Sequence, residues 1–394
     1  MSVALLYALP WAVAWVILTR VLRVRPRLEA VPPLLDGPLV SVIIPARNES
    51  RTIATVVSSL LASAYRNLEV IVVDDRSTDG TAEVVEQLWS TVNGQGSTVD
   101  RRLSTVDTRL IHGAPLPTGW YGKPWACVQG YRAARGELLL FTDADTKHEP
   151  MLLPHAVAAL RSGRGELVTV MPHQRCVTFW ERVVMPQFWT LLGFRFHPEA
   201  VNRARRTRDV IANGQFIFMK REDYEAIGTH EAVRHAVAED LELAQVVRAS
   251  GRRVWFGFAL SLMETRMYHG LAHMIEGWCK NIYVGGRQSF PDEPLQRALV
   301  PFALVAAIGF WLVPPLALVA TLAGLCSGWL APALLATVLS ALFWMVIAAS
   351  MRIPAWYGLL YPLGATMALV IVLRSTWRGS RRIEWKGRTY GAAA

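Results

Sequence analysis

Three groups of acidic residues have the types and the spacing to act on a charged ligand. They are Asp74-Asp75, Asp143-Ala144-Asp145 and Glu239-Asp240. An Asp-x-Asp pair that follows a strand can hold a divalent ion bridging a diphosphate, because Mg²⁺ and Mn²⁺ prefer oxygen ligands and keep positions for phosphate oxygens. The alternative is structural, since an aspartate after a strand often caps the next helix.

The Asp74-Asp75 pair favours the metal interpretation. Carboxylates that gather in one cleft repel each other, so they require a cation or hydrogen-bond donors. A bound ion would also neutralise the charge that develops on a leaving diphosphate. The sequence therefore predicts Mg²⁺ or Mn²⁺ as the cofactor. The Glu239-Asp240 pair has its own alternative, which is ordinary charge on a helix surface.

Short β-branched runs alternate with amphipathic segments in the first half of the chain. We predict strands at residues 40–45, 68–73, 110–111, 137–141 and 216–219, and helices at residues 52–64, 81–88 and 125–135. This alternation is typical of parallel βαβ units, whose ligands gather at the carboxyl ends of the strands. Both aspartate groups of this half follow predicted strands, so one α/β sheet would bring them together.

The 394 residues are 52% hydrophobic, and the apolar residues are unevenly distributed. Apolar segments occupy residues 2–22, 299–325, 329–350 and 354–373, each close to the ~20 residues that span a bilayer. The net charge of +10 comes partly from arginines that flank these segments. Such placement favours contact with anionic lipid headgroups, and no nucleic-acid partner is expected. The four cysteines have no metal-type spacing, which favours a reducing compartment.

Four stretches resemble the motifs of the family 2 inverting glycosyltransferases. They read VSVIIPARNE at 40–49, VIVVDDRSTDGT at 70–81, LFTDAD at 140–145 and AEDLEL at 238–243. The resemblance implies a glycosyltransferase A-type fold, an α/β architecture in which a nucleotide-binding mixed sheet is flanked by helices. Transmembrane helices would be added to it here. The implied partners are a nucleotide-sugar donor, an acceptor and the membrane.

The resemblance also assigns roles to individual residues. Pro45, Arg47, Glu49 and Asp75 would form the nucleoside pocket, Asp143 would face the ribose or sugar, and Asp145 would bind the metal. Asp240, beside Glu239, would be the general base. Inversion by a single displacement needs one base for the acceptor proton, and a neighbouring carboxylate can raise the pKa of that base into a useful range.

Three further stretches look like the bacterial lipid and carotenoid glucosyltransferase branch, which includes hydroxychlorobactene glucosyltransferase-like proteins. They read LPTGWYGKPWACVQ at 116–129, GWCKN at 277–281 and WKGRTY at 385–390. On this resemblance Lys123 would approach the donor phosphate or uracil, although a solvated loop lysine is the alternative. The QxxRW motif of processive synthases is absent, which favours the addition of a single sugar.

Four residues are expected on the acceptor side. Trp278 offers a broad apolar face for sugar or lipid, and Lys280 could contact the diphosphate. Their alternative is an interfacial anchor, because Trp and Lys are enriched at membrane boundaries. Gly214 and Gln215 precede a predicted strand and would line the acceptor side, with a plain turn as the alternative.

These features divide the chain into six predicted regions. They are a membrane anchor at 1–22, a linker at 23–39, a cytoplasmic glycosyltransferase domain at 40–265, an interfacial acceptor-side segment at 266–298, membrane helices at 299–374 and a basic cytoplasmic tail at 375–394. Arg297, Arg352 and Arg374 all favour the cytoplasm. That fits two full C-terminal spans and a third segment that is interfacial or re-entrant. Three full spans would place the tail outside, and the number stays open.

The expected function is transfer of glucose from UDP-glucose to the hydroxyl of a membrane lipid, such as a hydroxylated carotenoid. The expected location is the cell membrane, with the catalytic domain in the cytoplasm. A polyprenyl-phosphate acceptor is the second hypothesis, and it would favour a role for the arginines of residues 203–208. The third is a non-enzymatic membrane protein that binds nucleotide.

Overall fold

One mixed sheet of eight strands carries the first two thirds of the chain. Its strands are β1 (Val40–Ala46), β2 (Leu68–Asp74), β3 (Asp107–His112), β4 (Leu138–Thr142), β5 (Thr146–His148), β6 (Leu167–Gln174), β7 (Phe216–Lys220) and β8 (Val254–Thr265). Their order is β3-β2-β1-β4-β7-β6-β8-β5. The first four are mutually parallel, β7 runs antiparallel to β4 and β6, and β5 runs antiparallel to β8. The α/β prediction is confirmed.

The structure is a computed structural model that describes residues 3–93, 106–379, 383–386 and 388–390. The helices before the apolar region are α1 (Val3–Arg23), α2 (Ile53–Leu61), α3 (Thr81–Asn93), α4 (Gly122–Ala133), α5 (Leu152–Arg161), α6 (Phe179–Arg195), α7 (Pro198–Asn202), α8 (Arg221–Ala226) and α9 (Glu239–Ala249). After them come α10 (Leu271–Gln288), α11 (Pro294–Leu322), α12 (Leu330–Ser350) and α13 (Tyr361–Arg378). A short antiparallel hairpin follows, made of β9 (Ile383–Trp385) and β10 (Arg388–Tyr390).

The core of the sheet explains why the predicted strands form. Every residue of β2 is buried, and its β-branched side chains pack on both faces. Helix α4 crosses one face so closely that a Cβ at Gly130 would overlap the side chain of Ile43. On the same side the buried Glu69 accepts hydrogen bonds from Ser41 Oγ at 2.6 Å and from Arg135 N at 2.7 Å. These contacts fix the position of α4 relative to the carboxyl ends of the strands.

Three described helical segments are long and apolar enough to cross a membrane. They are Pro294–Leu322, Leu330–Ser350 and Ala355–Arg378, the last combining a 3-10 helix (Ala355–Leu360) with α13. The first begins five residues before the predicted apolar segment, because a Pro-led turn extends it. The side chains of residues 3–8 lie outside the described part of the chain. The membrane anchor at residues 1–22 therefore stays a prediction.

The apolar helices pack against α1 and against α10. Trp15 Nε1 donates to the Leu339 carbonyl at 3.1 Å, which joins α1 to α12. Ser375 Oγ donates to the Cys279 carbonyl at 2.6 Å, which joins α13 to α10. The predicted linker also takes part in packing, since Leu28 and Val31 are buried in the core of the sheet domain.

The contact between α13 and α6 leaves no room for a side chain at Gly364. A Cβ there would come closer to the Val183 carbonyl oxygen than real Cβ atoms approach a backbone oxygen. We expect Gly364→Ala to lower the free energy of unfolding by about 1–3 kcal/mol through overpacking, measured by thermal unfolding in detergent. Gly309→Ala is the matched control, because a Cβ at Gly309 in α11 meets nothing within 4 Å. Equal midpoints for the two variants would contradict the prediction.

Candidate active site

A cavity of about 1470 Å³ lies at the carboxyl ends of the central strands and extends among the helices. Every residue predicted for the site lines it. The lining includes Pro45, Arg47, Glu49, Asp75, Lys123, Asp143, Asp145, Gly214, Gln215, Glu239, Asp240, Trp278 and Lys280. The topology explains this gathering, because Asp75 follows β2, Asp143 follows β4 and Glu239 begins α9.

Lys123 joins two of the acidic groups. Its Nζ lies 2.7 Å from Asp143 Oδ1, 2.8 Å from Glu239 Oε1 and 3.4 Å from the Gly214 carbonyl oxygen. Burial by itself would lower the pKa of Lys123, but Asp143, Glu239 and Asp240 raise it well above its usual value. The charged form of Lys123 is therefore favoured, and because Lys123 lies in α4 and pairs with two carboxylates, the solvated-loop alternative does not apply.

Asp240 has the surroundings of a proton acceptor. Its Oδ2 accepts a hydrogen bond from the Gly214 N–H at 2.8 Å, and its Oδ1 accepts one from the Leu241 N–H at 2.8 Å. Burial and the adjacent Glu239 carboxylate raise the pKa of Asp240 to about 6, while Lys123 opposes the rise. Because Glu239 is only 8% exposed and pairs with Lys123, the pair is not ordinary helix-surface charge.

The aspartates of the Asp-x-Asp pair lie in the turn between β4 and β5. No helix begins there, so the helix-capping alternative does not apply to Asp143 and Asp145. Oδ1 of Asp145 is buried and has no hydrogen-bond partner among the described residues. Burial and the nearby carboxylates of Asp143 and Glu49 raise the pKa of Asp145 to about 8. A buried carboxylate oxygen without a partner fits a metal ligand.

The protein supplies few ligands for such an ion. No group of three or more His, Cys, Asp or Glu side chains within the described ranges is arranged to hold a metal. Mg²⁺ commonly binds through one or two carboxylates, with phosphate oxygens and water completing its shell. The arrangement around Asp145 therefore fits an ion that arrives with a diphosphate.

The polar residues of the cavity near the ends of β1 and β2 have partners that the sequence did not predict. Arg47 Nη1 donates to the Asp75 carbonyl oxygen at 2.6 Å. The carboxylate of Asp75 is held by both terminal nitrogens of Arg388, and the carboxylate of Glu49 is paired with Lys386. Burial raises the pKa of Asp75, and the Arg388 and Arg47 guanidinium groups counteract that rise.

Lys386 and Arg388 were not predicted as site residues. Their segment was predicted to be a basic cytoplasmic tail, although WKGRTY was one of the motifs that carried the resemblance. The signal that could have identified them is a pair of cations in a compact turn motif directly after the last apolar helix. Charge alone could not, because many arginines flank the apolar segments.

The four residues expected on the acceptor side differ in their surroundings. Trp278 is 4% exposed and stacks on Phe188 with ring centroids 4.3 Å apart, so it does not lie at the surface as an interfacial anchor would. Burial lowers the pKa of Lys280, while Glu239 opposes that shift. Gln215 is buried and accepts a hydrogen bond from Gln174 Nε2 at 3.3 Å. A Cβ at Gly214 would lie 2.8 Å from Lys123 Nζ, so this glycine allows the close approach of α4.

Helix α6 is a second feature that sequence reasoning missed. Its Phe188, Trp189 and Phe194 line an apolar arm of the cavity, together with Leu304 of α11 and Ile347 of α12. The signal was the density of aromatic residues between Phe179 and Phe196. The cavity is therefore polar at the ends of the strands and apolar where it meets the apolar helices.

Comparisons with known proteins agree with this geometry. Residues 41–228 match the family described as "Glycosyl transferase family 2". The 4,4'-diaponeurosporenoate glycosyltransferase of Staphylococcus aureus (strain MRSA252) is 26% identical over 383 residues, covering 93% of this chain and 92% of that one. A mannosyltransferase from Pyrobaculum calidifontis, solved with GDP-Man and Mn²⁺, superposes with a TM-score of 0.58 at 19% identity and covers 95% and 96% of the two chains. The predicted A-type fold is confirmed.

Removal of the Lys123 cation tests its place between two carboxylates. A buried pair that loses one partner costs about 3–5 kcal/mol; since the Lys123 side chain is 32% exposed, we expect Lys123→Met to lower the free energy of unfolding by about 2 kcal/mol. The measurement is chemical unfolding at pH 7 in EDTA. Lys220→Met is the matched control, because Lys220 is exposed and pairs only at the surface with Glu222. A loss no greater than that of the control would contradict the ion-pair role.

Proposed function

Because residues 41–228 match the family 2 glycosyltransferases, we propose that this chain transfers one sugar, with inversion, from a nucleotide-sugar donor to the polar end of a membrane lipid. The observation that carries the proposal is the cavity. It joins the carboxylates of Asp143, Asp145 and Asp240 to an apolar arm lined by α6, α11 and α12. A donor diphosphate suits the first end, and a long apolar acceptor suits the second.

The donor binds at the carboxyl ends of β1, β2 and β4. Asp145 holds the metal, Mg²⁺ or Mn²⁺, and Asp143 faces the ribose or the sugar. A divalent ion supplies charge neutralisation to the departing nucleoside diphosphate. Two observations support this arrangement: the unpartnered oxygen of Asp145 and the Mn²⁺ in the mannosyltransferase complex. UDP-glucose is the proposed donor, on the resemblance to the glucosyltransferase branch.

The acceptor lies in the apolar arm with its reactive group at Asp240. Asp240 removes the proton of an acceptor hydroxyl as that oxygen attacks the anomeric carbon. The backbone N–H of Gly214 holds the carboxylate in place. Trp278, which stacks on Phe188, lines the part of the cavity where the sugar would meet the lipid.

The Staphylococcus relative supports a carotenoid-like acceptor, and its name adds a second possibility. Diaponeurosporenoate is the anion of a carboxylic acid, and such an acceptor needs no base because its oxygen is already ionised. The product would be a glycosyl ester in place of a glycoside. The two acceptor classes therefore differ in their dependence on Asp240.

A polyprenyl-phosphate acceptor has less support. The arginines expected to favour it do not line the cavity. Arg203 pairs with Glu199 at 2.8 Å, and Arg208 pairs with Glu293. The charges of these two arginines are thus engaged by carboxylates of the protein.

We place the catalytic domain and the C-terminal hairpin on the same, cytoplasmic side of the membrane. Lys386 and Arg388 contact the catalytic domain directly. The helices between residues 294 and 378 therefore cross the bilayer an even number of times. This agrees with the expectation of two full spans and one segment that is interfacial or re-entrant, and with the arginines at that face.

Asp240→Asn tests the base. We expect turnover to fall by about 10²–10⁴-fold with donor binding retained, measured with UDP-glucose, Mn²⁺ and a lipid extract. For the wild-type protein, turnover should rise as the pH rises through about 6, because Asp240 must be deprotonated to act as the base. The charged groups that face Asp240 are Glu239, Lys123 and Lys280. Glu242→Gln, on the same helix, is the control. Unchanged turnover of Asp240→Asn on a hydroxyl acceptor would exclude Asp240 as the base. Retained turnover on a carboxylate acceptor alone would identify the ester-forming alternative.

Asp145→Ala tests the metal site. We expect the affinity for UDP in the presence of Mn²⁺ to fall by about tenfold or more, while the affinity measured in EDTA changes little, because only the metal-mediated part is lost. Isothermal titration gives both values. Glu149→Ala is the control, since Glu149 pairs at the surface with Lys147. Equal losses of affinity with and without Mn²⁺ would remove Asp145 from the metal site.

A further inference from the structure

The C-terminal hairpin lies over the nucleoside end of the cavity. Arg47 Nε donates to the Lys386 carbonyl oxygen at 3.1 Å, which attaches the hairpin main chain to the catalytic domain. Arg47 is itself held by the Asp75 and Arg76 carbonyl oxygens. The hairpin is thus docked through backbone atoms next to the ends of β1 and β2.

Two hairpin side chains point at predicted donor contacts. Lys386 pairs with Glu49, and Arg388 holds Asp75 through both terminal nitrogens. Lys386 lines the same cavity as Asp143 and Asp145.

We propose that Lys386 and Arg388 are donor-binding residues. They give up their ion pairs with Glu49 and Asp75 and bind the diphosphate of the nucleotide sugar instead. The inference rests on the proposed function and adds a part of the donor site formed by the end of the chain. A guanidinium fork fits phosphate as well as carboxylate, and an ammonium group binds phosphate as a point charge. A diphosphate also brings more negative charge than either carboxylate, which favours the exchange.

The backbone attachment favours this role over simple blockage of the site. Because Arg47 holds the hairpin through the Lys386 carbonyl oxygen, both cationic side chains can turn to a new partner while the hairpin stays docked. They then leave Glu49 and Asp75 available to the ribose and the base. A blocking role predicts the opposite effect of mutation, since removal of a block strengthens nucleotide binding.

The test compares ligands with and without phosphate. Full-length protein in lipid nanodiscs is titrated with UDP and GDP, and with uridine and guanosine, in Mn²⁺. We expect Lys386→Gln and Arg388→Lys each to weaken diphosphate binding by about tenfold, as loss of one charge-assisted bond does, and to change nucleoside binding less than about twofold. Arg388→Lys keeps the charge beside Asp75, which protects folding. Lys147→Gln is the matched control, because Lys147 is a surface lysine paired with Glu149.

The outcomes separate the two hypotheses. Tighter diphosphate binding by the variants, or unchanged binding, would overturn the donor role of the hairpin and leave the proposed function standing. Equal weakening of diphosphates and nucleosides would also overturn it, since it would show a general disturbance of the pocket. A wild-type protein that binds no nucleoside diphosphate would overturn the proposed function, and the role of the hairpin with it.

Discussion

Lys123 lies between Asp143 and Glu239 at hydrogen-bonding distance from both. The two carboxylates belong to the turn after β4 and to the start of α9, so one cation holds together elements that are far apart in the chain. Without it, several carboxylates would face one another in one cavity with no cation between them. Gly214 completes the arrangement, because a side chain there would push Lys123 away. The same charge restrains the upward shift of the Asp240 pKa, so the arrangement of these elements and the pKa of the proposed base depend on the same cation.

The cavity has a polar end and an apolar arm. Its polar end is built from strand ends and their carboxylates, and its apolar arm from α6 and from α11 and α12, which are long enough to span a bilayer. Helix α10 lies at the junction and presents both Trp278 and Lys280. On the proposed function, an acceptor would keep its apolar body among α6, α11 and α12 while its polar end reaches Asp240. The close contact between α13 and α6 at Gly364 holds the apolar helices against the helix that lines the arm.

The sequence was sufficient for β1 to β4, for β7 and for the acidic motifs, because their signals are local, whereas β5, β6 and β8 were not predicted. The buried β-branched runs of β1 and β2 and the Asp-x-Asp pair after β4 each lie within about ten residues. What it missed depends on contacts across the chain. Lys386 and Arg388 look like ordinary flanking charge until the hairpin docks on β1 and β2. The aromatic residues of α6 line a cavity only because α11 and α12, which are distant in the chain, pack beside them.

Asp75 and Arg388 are separated by 313 positions. During synthesis, at about 5–20 residues per second, the strands that carry the acidic pocket leave the ribosome tens of seconds before the segment that covers it. The apolar helices are synthesised in that interval. The carboxylates of Glu49 and Asp75 therefore acquire their partners only after those helices have been made. A chain truncated before residue 386 would keep its sheet and its helices but would expose two acidic groups that the finished protein covers.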